Sequence, residues 1–129
     1  MYVFGVVIEA PYEQALARVK EALGAEKLGL VSEVNVSGIL KAKLGEDIGD
    51  YCILGACAPA LASRVITAQP AAGALLPCNV VVRALNETST AVHFMDPVTV
   101  LGLAEVPAVD VIAAEARMVL ERVRDRLTS

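Results

Sequence analysis

At 129 residues and 13.5 kDa, with 56% hydrophobic and 20% charged side chains, the chain has the size of one domain (1–129) around one core and lies far from a disordered composition. No apolar run approaches the ~20 residues of a membrane span, so no membrane partner is expected. A net charge of −4, a pI near 4.9 and only 4% aromatics argue against a nucleic-acid surface, because phosphates need cations and bases need stacking rings.

Three cysteines leave one unpaired, and a chain of this size needs no covalent staple, so reduced thiols and a cytoplasmic setting are expected. The opening MYVFGVVIEA has no basic leader and reads as a buried strand, not as a signal peptide. Arg exceeds Lys while Asn and Gln are scarce, a bias that suits a heat-adapted host.

In chain order, the β-branched run over residues 2–9 predicts a central strand, and Pro11 then sits where a helix favours its fixed φ. Tyr12, Ala15, Leu16, Val19 and Leu23 follow helical spacing, with Gly24 placed for a left-handed cap. Residues 30–36 read as a strand near an edge, and Ser37 as the cap of a short helix that ends at Gly45. Tyr51 to Cys57 returns to strand pattern, and Pro59 opens a helix that runs to about Ala68.

Residues 70–77, PAAGALLP, read as a loop of unusually apolar content, packed against the body or a partner. Cys78–Leu85 and Thr90–Asp96 form a hairpin; pairing Asn86 with Thr90 sets Val82 opposite Phe94 and Arg83 opposite His93, which separates apolar from polar faces. The last and longest helix runs from about Glu105 or Ala108 to Leu127, with Val109, Ile112, Ala116, Leu120, Val123 and Leu127 on its core stripe. The element order predicts an α+β fold, a mostly antiparallel sheet covered by helices.

The phrases YCILGACAPALA (51–62) and LLPCNVVV (75–82), with FGVV near the start, KLG at 43–45 and Asp96-Pro97, resemble the signature segments of the domain-of-unknown-function family number 302. The resemblance implies a β-α-β(4)-α layer arrangement and a tendency to homodimers, and it brings no established reaction or catalytic residue. Family members often carry Asn before the proline of the first signature, where this chain has Ala58; an Asn there would cap the helix.

Four residues are candidates for a site: Cys57, Cys78, His93 and Asp96. Cys57 precedes a helix N-terminus, where amides and the helix dipole favour a thiolate, and it equally suits a tight strand–helix contact. The apolar loop is long enough to bring Cys78 back beside Cys57, while Cys52 is expected on the opposite face. The Cys52–Cys57 spacing is no metal-binding pattern, and no cofactor motif is present. His93 reads as a strand residue next to Arg83, a cation that disfavours its protonation. Asp96 before Pro97 marks a strand end and a turn, or holds a ligand at the sheet rim.

Two functions follow: a non-enzymatic homodimeric protein that binds a small ligand or partner, and, as the alternative, a thiol-dependent enzyme or redox protein using Cys57 with Cys78. Val111 and Met118, opposite the core stripe, and the loop 71–76 are the expected dimer surface.

Overall fold

The computed structural model describes residues 1–128. Five strands, β1 (Val3–Ile8), β2 (Gly29–Asn35), β3 (Tyr51–Cys57), β4 (Cys78–Ala84) and β5 (Thr90–Met95), form one antiparallel sheet in the order β1-β5-β4-β3-β2. The helices are α1 (Tyr12–Ala25), α2 (Val36–Leu44), α3 (Pro59–Ala68), α4 (Pro97–Leu101) and α5 (Pro107–Thr128). This is the α+β, β-α-β(4)-α arrangement, with the long C-terminal helix as expected.

The pleat sends alternate residues to opposite faces. Phe4, Val6 and Ile8 of β1, Leu54 of β3, Val80 of β4 and Phe94 of β5 enter one cluster with α1 and α5. Phe94 is fully buried and stacks on Phe4 with ring centroids 5.4 Å apart. Burial of a side chain that size stabilises the fold by roughly 2–3 kcal/mol. All six residues expected on the α5 stripe are buried. Val65, Ala72, Leu101, Val109, Ile112 and Ala113 form a second cluster, where α3 and α4 pack on the first half of α5.

Several local expectations are corrected. The first strand is an edge strand, not a central one; its unbroken apolar run serves two faces, with Phe4, Val6 and Ile8 in the core and Val3 and Val7 outside it. Pro11 takes the N-cap position, and the helix begins at Tyr12. Helix α1 passes Gly24 and ends with Lys27 in the left-handed region at φ 62°. There Leu28 N donates to Leu23 O and Lys27 N to Gly24 O, each at 3.0 Å, a Schellman closure that keeps Leu23 and Leu28 together in the core and outweighs the strain at Lys27. The cap of α2 is Asn35, whose Oδ1 accepts from Gly38 N at 3.0 Å; Ser37 instead exchanges hydrogen bonds with the backbone of Tyr51.

The stretch read as a loop contains a 3₁₀ helix over Pro70–Leu75, and Ala72, Leu75 and Leu76 pack into the second cluster. Its apolar content therefore has an internal cause and requires no partner. The hairpin register is two residues away from the expected one: Val82 stands opposite Val92, Val80 opposite Phe94, and Arg83 opposite Ala91. Asn86 is the first residue of the turn, accepting from Thr88 N at 2.8 Å, while Leu85 N donates to Ser89 O. An even shift leaves each side chain on its assigned face.

Candidate functional site

The strand ends next to α3 form the wall of a cavity of about 40 Å³. Cys57 closes β3 and Cys78 opens β4. Ala56 stands directly opposite Cys78 on β4, and Cys57 and Cys78 are both among the residues that line the cavity. The remaining wall is hydrocarbon, from residues such as Leu28, Leu61, Val65, Leu101, Ile112 and Leu120. Burial first, and the Cys57 thiol second, push the Cys78 thiol up to about 11. Among the described residues, no acidic, basic or hydroxyl side chain lines the cavity to take or give a proton.

Helix α3 starts at this wall without help from a side chain. Ala58 occupies its N-cap and makes no side-chain hydrogen bond, so the absent Asn leaves the first amides of the helix uncapped.

The other two candidates lie outside the cavity. His93 projects from the opposite face of the sheet, and its Nε2 accepts from Arg83 Nε at 3.0 Å. Burial first, and then the Arg83 charge, lower its pKa. Asp96 caps α4, its Oδ1 accepting from Val98 N at 2.9 Å, while Oδ2 pairs with Arg117. Arg117 also bonds Glu121 at 3.0 Å and lies 4.1 Å from the centroid of the Phe4 ring. Every oxygen of Asp96 is thus committed to holding α4 and α5 against the sheet. Cys52 is buried on the core side next to Tyr12 and apart from the other thiols; burial raises both of these groups above their usual values.

The leucines of the cavity wall and Arg117 were not legible as site residues. The former sit in ordinary helical stripes, and Arg117 meets Asp96 only once α5 is folded back over β1.

The sheet face away from α1 and α5 is the second notable surface. Its middle row runs Gly5, His93, Val81, Ile53, Val34 across all five strands. Val3, Val7 and Met95 flank that row, and none of these side chains belongs to either hydrophobic cluster. A one-sided antiparallel sheet normally turns polar residues outward. Here Arg83 and His93 stand among apolar neighbours, so the face expected to be polar is mixed.

Residues 4–127 match the family described as "Domain of unknown function DUF302". The crystal structure of an uncharacterized conserved protein DUF302 from Bacillus stearothermophilus is similar to the chain with a TM-score of 0.89 and 30% identity, over 98% of each chain. No curated protein matches. Among the described residues, no helix is long and apolar enough to cross a membrane.

Proposed function

The chain belongs to the family of the domain of unknown function DUF302, and on that premise we propose that it is a non-enzymatic interaction protein acting as a homodimer, with a second copy covering the bare face of the sheet. The observation that carries this reading is the row of Val81, Ile53 and Val34 on a face that no core cluster includes, with Val7 beside it 50% exposed. Monomers rarely leave a contiguous apolar surface of this kind in water. Five strands at about 4.8 Å spacing and about 20 Å length give a face whose pairing with its copy buries roughly 1,000 Å² in total, the scale of a specific interface. A cytoplasmic setting accords with three free thiols.

The thiol-enzyme alternative has weaker support, since the cavity offers Cys57 no base and holds Cys78 as a protonated thiol at neutral pH. A volume of about 40 Å³ also restricts any ligand there to a few atoms, below the roughly 300 Å³ at which small-molecule sites begin. Sedimentation equilibrium of the reduced chain at micromolar concentration is the test. The mass of two chains is expected, and the mass of one chain rejects the reading.

A further inference from the structure

We infer that acid opens the sheet-face dimer, and that His93 is the group whose protonation separates the two copies. The inference concerns regulation of the homodimer proposed above and rests on that reading. His93 stands in the middle row of the bare face, opposite Gly5, which has no side chain to cover it on the β1 side. Its Nε2 accepts from Arg83 Nε at 3.0 Å. That bond exists only while the imidazole is neutral. A proton arriving at Nε2 removes it and sets two cations against each other.

The neighbouring elements bring no carboxylate to soften that contact. β4 presents Arg83, and among the described residues no ion pair includes it. β3 sets Tyr51 opposite Arg83. β1 presents Val3, Gly5 and Val7, and Glu9 beyond its end is bonded by Ser89. Glu33 of β2 stands opposite Leu54 in the core-side register and pairs with Lys20 of α1. Helix α2, whose Ser37 bonds Tyr51, carries Lys41 and Lys43 and no acid. Asp50, beside Tyr51, lines a cleft with Tyr12 and Cys52 instead. A second copy laid on this face brings its own Arg83 and His93 and removes water from both pairs, so pairing disfavours the charged imidazole further. In the single chain, burial first and Arg83 second already hold the His93 pKa below its ordinary value. The dimer lowers it again. Each copy therefore takes up one proton at Nε2 on separating, two per dimer. The contribution to pairing is complete above the free copy's value and is lost as pH falls through it toward the dimer's lower one.

The test is sedimentation equilibrium of the reduced full-length chain at steps between pH 7.5 and 5, with circular dichroism to separate dissociation from unfolding. The dimer dissociation constant should rise by at least about tenfold over that range, within the limit of about 100-fold per pH unit that two protons set. His93→Gln keeps an acceptor for Arg83 and does not titrate, so its constant should stay level with pH. His93→Lys carries a fixed charge and should sediment as one chain already at pH 7.5, a readout that needs no acid. A wild-type constant that is level with pH, an equal rise in His93→Gln, or a folded, dimeric His93→Lys would each overturn the inference and leave the homodimer standing. One chain's mass for the wild type at pH 7.5 would remove both.

Discussion

Arg83 reaches diagonally across the β4–β5 ladder to His93: its Nε donates to His93 Nε2 at 3.0 Å, although the residue directly opposite Arg83 is Ala91. A protonated imidazole cannot accept this bond and would face a neighbouring cation. The folded state therefore holds the His93 pKa below 6.5, through burial first and Arg83 second. Protons then bind the unfolded chain more readily than the folded one, so this contribution to stability is complete above about pH 6.5 and is lost as pH falls through the unfolded value toward the lower folded one. Urea midpoints taken between pH 7.5 and 5 should fall in the wild type. In His93→Gln that decline should be smaller, and an equal decline in both proteins would remove His93 from the account.

Asp96 performs two structural tasks, and two substitutions separate them. Asp96→Ala loses the cap of α4 and the Arg117 ion pair and should cost about 2 kcal/mol. Asp96→Asn keeps an acceptor for Val98 N and should recover about half of that. Chemical denaturation measures both, and equal losses would mean that the cap contributes nothing.

Gly55 is required by close approach. A Cβ built there would lie 2.1 Å from Ser32 Oγ and 2.8 Å from Pro77 Cγ. Gly55→Ala should destabilise by about 1–3 kcal/mol, and adding Ser32→Gly should return part of the loss, because the serine is the nearer obstruction. An additive double variant would show that Pro77 alone sets the limit.

The α5 stripe was legible because six apolar residues at helical spacing have one way to be buried together. The α+β order was legible for the same reason. Elements decided by packing rather than by a local signal were not. The end of α1 depends on Leu23 meeting Leu28 across the turn, which overrode the glycine signal at Gly24. The Pro70–Leu75 helix depends on the second cluster, whose members come from α3, α4 and α5. At the candidate site, Cys57 and Cys78 both line the cavity beside α3, an arrangement that the flanking helix start and the intervening length allow. His93 and Asp96 went elsewhere because the pleat and the α4 cap, neither visible as a motif, direct them to the opposite face and to Arg117.

The dimer surface distinguishes two parts of the molecule. Val111 and Met118, each 60% exposed on the outside of α5, are the surface expected from the helical wheel, whereas the sheet face carries the row of Val81, Ile53 and Val34 with Val7 beside it. Within 71–76, Ala72, Leu75 and Leu76 pack into the second cluster, so their apolar character needs neither surface. The decisive measurement is sedimentation equilibrium of Val81→Lys beside a Val111→Lys/Met118→Lys double variant at matched micromolar concentration, with circular dichroism to establish that both are folded. The sheet-face account expects one chain's mass for Val81→Lys and two for the α5 variant; a folded, dimeric Val81→Lys would contradict it.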